Sequence, residues 1–317
     1  MTRKELLTNL KSKIKAELIP LIGNKCVIVD APYYKNIGDV LIWQGELSLL
    51  QENSVEVLSI TSGKTFVHKP LPKDVTIIFQ GGGNIGDLYY EHTNLLKFIA
   101  KNYKENRIIV CGQTVYYKDT ELFRRDFLEL AEHPDLYFAT RDEKSFNILK
   151  EYFSSRTLLI PDMAFAISDE WLKSFASPIT GMLLYIVRKD CEKQEQISVG
   201  DIVPDKTMDW PVFEHKILPS TFINTVFDRL SGVPVLSSLL SRLWDKYAMK
   251  KFRLNMVKAG VDFISPYEKV VSERLHGCIL AILLDKEVTI VDNSYGKNGS
   301  VYNTWLKEDD RIRVITK

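Results

Sequence analysis

Short β-branched apolar runs alternate with stretches of helical period along most of this chain. Residues 26–30, 55–60, 75–80, 107–111, 136–139 and 157–160 read as strands buried on both faces. Helical stretches fall between them, over 40–51, 94–103, 120–132 and 143–153. Strand, helix and strand at this spacing predict a mostly parallel sheet with helices on both faces. Ahead of the first strand, Leu6, Leu10, Ile14 and Leu18 recur every four residues among lysines and glutamates, the pattern of an amphipathic helix.

The alternation breaks after Phe165, with Pro178 nearby, and resumes with a strand over 181–187. Apolar runs at 261–264, 269–272 and 288–291 read as further strands, and 275–284 as a nearly all-apolar helix. The expectation is two Rossmann-like α/β domains, 1–175 and 176–317, with parallel sheets facing across a cleft. Open sheets of this kind take ligands outside the carboxyl ends of their strands, so the loops after strands are where chemistry is to be sought. Residues 237–258 read as an amphipathic helix carrying Arg242, Lys246, Lys250, Lys251, Arg253 and Lys258 among Leu243, Trp244, Tyr247 and Phe252. Such a helix suits either a solvated face of a packed bundle or an anionic membrane surface.

Composition narrows the field. Lys plus Arg (42) nearly balances Asp plus Glu (41), and a net charge of +1 argues against a nucleic-acid protein acting through a general basic field. The cysteines (Cys26, Cys111, Cys191, Cys278) lie far apart with no Cys-x-x-Cys, which argues against zinc and against a disulfide framework. The start of the chain does not read as a signal peptide, and the longest uninterrupted apolar run, 278–284, is too short to cross a bilayer. The expected setting is cytoplasmic.

Several post-strand segments carry candidate chemistry. In Gln80-Gly-Gly-Gly-Asn-Ile-Gly-Asp87 three successive glycines allow backbone N–H groups to face an anion, or simply relieve a tight turn. Asn36-Ile-Gly-Asp39 echoes that segment's end and suggests a second turn of like shape; Asp39 either caps a helix or faces the cleft. Thr140-Arg-Asp142 puts an Arg at a strand's carboxyl end, where it needs either an anionic ligand or Asp142 as internal partner. Most informative is Ser272-Glu-Arg-Leu-His-Gly277. It places Arg274 and His276 at the mouth of an apolar helix, whose positive end disfavours imidazolium and leaves a ring able to exchange protons. His68, His92, His133 and His215 have no comparable setting in the sequence. Asp292-Asn-Ser-Tyr-Gly-Lys-Asn298 is a further post-strand loop with a hydroxyl, a phenol and a cation.

Taken in order, these segments resemble the polysaccharide pyruvyl transferase family, in particular its exopolysaccharide-biosynthesis branch. The likeness is carried by Pro32-Tyr-Tyr-Lys-Asn-Ile-Gly-Asp39, Gln80 to Tyr89, Gln113-Thr-Val-Tyr-Tyr117, Arg141-Asp-Glu-Lys-Ser145, Pro161-Asp-Met-Ala-Phe165, Arg188-Lys-Asp190, Arg274-Leu-His-Gly277 and Asp292 to Lys297. Many members have Gly-Pro where this chain has Val115-Tyr-Tyr117. The resemblance implies a GT-B-like fold and a transfer of pyruvate from phosphoenolpyruvate to two hydroxyls of one sugar. The products are a cyclic ketal and phosphate, made with no metal or further cofactor. It implies catalytic roles for His276, Arg274, Arg141 and Asp39. Binding roles fall to Asn36, Gly38, Gly81, Gly82, Gly83, Asn84, Asp87, Gln113, Ser294, Tyr295 and Lys297. The implied partners are phosphoenolpyruvate and a glycan acceptor, free or lipid-linked; the balanced charge speaks against nucleic acid, and the basic stretch 237–258 is what leaves open a peripheral contact at the inner membrane face. Two competing readings share the pattern: a GT-B glycosyltransferase using a nucleotide sugar, and a glycan-binding scaffold that has lost catalysis.

Overall fold

The structure is a computed structural model that describes residues 1–188, 202–210, 234–292 and 296–316. Strands β1 (Lys25–Val29), β2 (Glu56–Ile60), β3 (Thr76–Phe79), β4 (Ile108–Gln113), β5 (Leu136–Thr140) and β6 (Thr157–Leu159) form one sheet in the order β2-β1-β3-β4-β5-β6. A second sheet holds β7 (Met182–Ile186), β8 (Lys206–Met208), β9 (Tyr267–Ser272), β10 (Glu287–Val291) and β11 (Ile312–Ile315) in the order β11-β10-β9-β7-β8. All pairings in both are parallel. The helices are α1 (Arg3–Ile22), α2 (Ile37–Glu52), α3 (Tyr90–Asn102), α4 (Thr120–Ala131), α5 (Glu143–Phe153), α6 (Asp169–Lys173), α7 (Pro234–Tyr247), α8 (Arg253–Ile264), α9 (Leu275–Leu283) and α10 (Lys297–Val301). The fold is α/β, built as two Rossmann-like halves.

Four details depart from the sequence pattern, the first being that the edge strands β8 and β11 have no counterpart among the expected strands. Residues 261–264 lie in α8, not in a strand. Met256, Val257, Gly260, Val261 and Ile264 are its buried positions, and that three-and-four spacing marks one helix face. A four-residue apolar run read alone cannot show this. β2 is not buried on both faces: it is an edge strand whose Glu56, Leu58 and Ser59 are exposed. The two Asn-Ile-Gly-Asp copies also differ in shape. Asn36 caps α2, its side chain accepting from Gly38 N, whereas residues 84–87 are loop and Gly86 bridges to Tyr116.

The two halves share one interior. Helix α1 starts with a capping box between Thr2 and Glu5 and buries Leu6, Leu10, Ile14, Leu18 and Ile22 as a single stripe. Its first turn is held by the second sheet's side, where buried Arg3 pairs with Asp309 and donates to the carbonyls of Ile282 and Lys286. Its last turn belongs to the first sheet, where the Ile22 carbonyl accepts from Thr76 Oγ1. Helix α2 is buried at most of its positions and packs against α8 and α9. A Cβ on Gly45 would fall 1.8 Å from the Met163 carbonyl, so only glycine lets α2 lie this close to the segment after β6.

Deep in that interface lies Glu46 of α2. Its Oε1 accepts from Gly81 N at 2.9 Å, while Oε2 is buried with no hydrogen-bond partner. Loss of water raises its carboxyl pKa to about 8, and the Gly81 amide only partly opposes the shift. A carboxyl raised in the folded state binds more protons folded than unfolded. Its contribution to stability is therefore complete below about pH 4.5 and fades as the pH climbs through about 8. Glu46→Gln should lack this loss: its melting temperature should gain on wild type between about pH 6 and 8, at up to about 1.4 kcal/mol per pH unit. Parallel melting curves across that range would contradict a buried, titrating Glu46.

Candidate active site

The strand orders fix where a site can form. In the first sheet β1 sends its chain to β2 on one side and lies beside β3 on the other; in the second, β7 stands likewise between β8 and β9. At such switch points the loops leave in opposite directions and open a crevice. The loops after β1 and β3 supply Tyr34, Asn36, Asp39, Gly83 and Asn84. Those after β7, β8 and β9 supply Arg188, Trp210, Arg274 and His276. Arg141, following β5, together with His92, Lys297 and Asn298, completes a cavity of about 390 Å³.

Its centre is an ion-paired cluster from both halves. Arg141, 1% exposed, donates from Nη1 to Asp162 Oδ2 at 2.5 Å and from Nε to Thr114 Oγ1 at 3.0 Å. His276 Nε2 lies 3.3 Å from the same Asp162 oxygen, a contact whose geometry falls short of a hydrogen bond. Burial alone would raise the Asp162 carboxyl. The charges of His276 and Arg141 and the Ala164 amide outweigh it and hold the group well below the ordinary carboxylate range. Asp162 rather than Asp142 is therefore the partner of Arg141. Asp142 instead caps α5, accepting from Ser145 N, and accepts from Thr114 Oγ1. Asp162 follows β6 as Arg141 follows β5, so its place after an apolar strand was the available signal.

Glycines set the clearances. A Cβ on Gly38 would come within 2.3 Å of His276 Nδ1, so the first turn of α2 forms a seat for the imidazole. A Cβ on Gly83 would lie 2.4 Å from Lys297 Nζ and 3.2 Å from Arg141 Nη2. Gly81 and Gly82 do not serve as the expected anion donors: their N–H groups go to Glu46 Oε1 and to the Gly112 carbonyl. Gly82 is needed for its φ of 138°.

On the opposite wall, Asp39 Oδ2 accepts from the Tyr34 hydroxyl and from Asn36 Nδ2, both at 2.8 Å. Asn84 Nδ2 in turn donates to the Tyr34 oxygen at 2.9 Å. Loss of water and the neighbouring Asp39 and Asp30 carboxylates keep the Tyr34 phenol protonated, its pKa well above the ordinary value. Arg274 is held at its guanidinium by both oxygens of Asp209, at 2.5 and 2.8 Å.

Of the residues picked out in the sequence, Asn36, Asp39, Gly83, Asn84, Arg141, Arg274, His276 and Lys297 line the cavity, and Gly38 backs His276. Asp87 and Gln113 do not line it. Asp87 accepts from the Lys118 and Asp119 amides, and Gln113 donates to the Gln80 carbonyl. Ser294 and Tyr295 lie outside the described residues. His92 corrects the reading that the remaining histidines lack a site setting: it lines the cavity and contacts Asp30 at 2.5 Å. Loss of water works against its charged form, but the bond to Asp30 together with the charges of Asp30, Glu91 and Asp39 outweighs it and raises the pKa. Nothing near His92 in sequence announces Asp30, which lies 62 residues earlier. His133, in contrast, is structural, set between the Tyr103 carbonyl and the Asp135 amide.

Comparison with known proteins bears on the family and the fold. A Bacillus subtilis protein named "Putative pyruvyl transferase EpsO" is 28% identical over 99% of this chain and 96% of its own length. Pyruvyl transferase 1 of Schizosaccharomyces pombe is 27% identical over 89% of this chain and 70% of its own. A crystal structure of a Klebsiella pneumoniae protein superposes with a TM-score of 0.64 at 21% identity, covering 98% of this chain and 99% of that one, which supports the fold. The profile of the polysaccharide pyruvyl transferases matches residues 36–295, from the cap of α2 to the loop after β10, and the chain belongs to that family.

Proposed function

We propose that the cavity transfers pyruvate from phosphoenolpyruvate to two hydroxyls of one sugar in a surface or exopolysaccharide precursor. The observation that carries this reading is the lining itself. Arg141, Arg188, Arg274 and Lys297 stand around two imidazoles, His276 and the Asp30-bonded His92, against two lining carboxylates, Asp39 and Glu91. A donor with both a carboxylate and a phosphate suits such a wall, because fixed guanidinium and ammonium groups bind those anions with charge-assisted hydrogen bonds.

The reaction needs little more than charge and one proton carrier. While a proton is delivered to the C3 methylene of the donor, which becomes a methyl, an acceptor hydroxyl oxygen bonds to C2 and loses its own proton to solvent. The C2–phosphate bond then breaks, a second hydroxyl of the same sugar bonds to C2, and its proton leaves with phosphate or solvent. His276 carries the first proton, and Arg141, Arg274 and Lys297 stabilise the donor anions and the departing phosphate. Asp39, fixed by Tyr34 and Asn36, orients an acceptor hydroxyl.

Phosphate release from phosphoenolpyruvate in the presence of candidate acceptors, with mass spectrometry for the ketal, tests the reading directly. His276→Gln should lower turnover by roughly 10²–10³-fold while the melting temperature stays close to wild type. Turnover equal to wild type would remove His276 from the chemistry. Gly38→Ala, which pushes a methyl into the imidazole, should cost roughly 1–3 kcal/mol of stability and about 10²-fold in turnover. A variant with full activity would show that the seat on α2 does not fix the ring.

A further inference from the structure

The stretch from α7 into α8 has a face that the cavity does not use. Inward, Trp244, Ala248 and Phe252 are buried, and Trp244 meets the edge of Tyr33 at 5.8 Å between ring centroids. Outward, Leu239 and Leu243 are 54% and 56% exposed. Arg242, Lys246 and Lys250 are exposed as well, and Lys251 lies beside them. Leu239, Arg242, Leu243, Lys246 and Lys250 recur at the three-and-four spacing that puts residues on one side of a helix.

Three observations distinguish this stripe from an ordinary solvated face. The one acid of α7, Asp245, is bonded to Thr65 Oγ1 at 2.7 Å and lines the groove beside Arg242 and Lys246, so the stripe of Leu239, Arg242, Leu243, Lys246 and Lys250 itself carries no acid. With a net charge of only +1 over the chain, four clustered cations are a local concentration and not a sample of a basic surface. The exposed Arg242 and Lys246 also form part of an open groove of about 870 Å³, whose other walls include Leu47, Val57, Trp171 and Phe175. Paired leucines beside cations, next to an apolar trough, match the chemistry of a phospholipid interface: apolar side chains enter below the headgroups and cations meet their phosphates.

From this geometry we infer that the outer stripe of α7 docks the protein on an anionic phospholipid bilayer. The position suits access. α7 packs on Tyr33, next to Tyr34 in the cavity wall, so the docked helix sits beside the loop after β1. Among the described residues no helix is long and apolar enough to cross a membrane, so the contact is one of surface. The inference goes beyond the reaction proposed above and is tested without turnover.

The test is co-sedimentation of the full chain with vesicles of phosphatidylcholine alone and of phosphatidylcholine mixed with phosphatidylglycerol. Wild type should bind the anionic vesicles at least tenfold more tightly than the neutral ones and should be released by high salt. Leu239→Ser with Leu243→Ser, and separately Arg242→Gln with Lys246→Gln, should each weaken that binding by tenfold or more with unchanged thermal melting. Where wild type releases phosphate with a soluble acceptor, both variants should match its rate, which separates docking from chemistry. Wild type left in the supernatant at low salt would overturn the inference, and so would binding that survives both variants. Light scattering that shows a dimer dispersed by the leucine substitutions, with no vesicle binding, would assign the stripe to a second copy of this chain instead.

Discussion

A single carboxylate, Asp162, ties the two halves of this molecule at the point where their loops meet. It is wholly buried after β6 of the first sheet, where it holds Arg141 from β5 and faces His276 from the second. A buried carboxylate is costly unless its surroundings favour the charge. Here the same surroundings set the site: without Asp162, Arg141 would be a buried cation lacking its counter-ion, and the His276 ring would lose the charge that faces its Nε2. Other links cross the same boundary. Trp305 Nε1, from the second half, donates to the Arg141 carbonyl at 2.9 Å, and Gly38 of α2 seats the imidazole. The cluster at the junction of the halves is therefore already assembled.

The pairing of the cations matters for what the cavity can do. Arg141 and Arg274 both face it with their guanidinium groups already bonded to carboxylates, Asp162 and Asp209. Each carboxylate fixes its guanidinium in one orientation, so little side-chain entropy is lost when an anion arrives. It also offsets part of the positive field. Arg188, following β7, and Lys297, which opens α10, add two further cations to the same wall. Preorganised cations of this kind lower a barrier because their dipoles need not reorient as charge develops on the leaving group.

Apart from the three-residue β8 and the charged, terminal β11, which offer no such run, the described strands were legible because β-branched runs bounded by polar turns have few alternative readings. So were the post-strand positions of Arg141, Arg274, His276 and Lys297. The failures have physical causes. The run 261–264 is too short for its period to tell helix from strand, and only the packing of Gly260 against Ile37 of α2 and Leu280 of α9 decides it. The Gly81 and Gly82 amides were expected to face an anion. Glu46, two strands' worth of sequence earlier, captures one of them through a contact that no local pattern encodes. His92 was passed over because its partner Asp30 is brought to it only by the β1–β3 pairing.

The glycine-rich turn shows how a motif can be right in place and different in action. Its first two amides are spent on the protein's own acceptors, so its value to the site is absence of bulk, not donation. At Gly83 the missing side chain leaves room for Lys297 Nζ and Arg141 Nη2 to approach one another across the turn. Two like charges brought that near repel unless an anion or a carboxylate lies close. Asp162 lies on the Arg141 side of the turn, bonded to Nη1. On the side of Lys297 the wall opens into the cavity. Gly83 thus serves the site by letting cations from the two halves converge where a side chain would hold them apart.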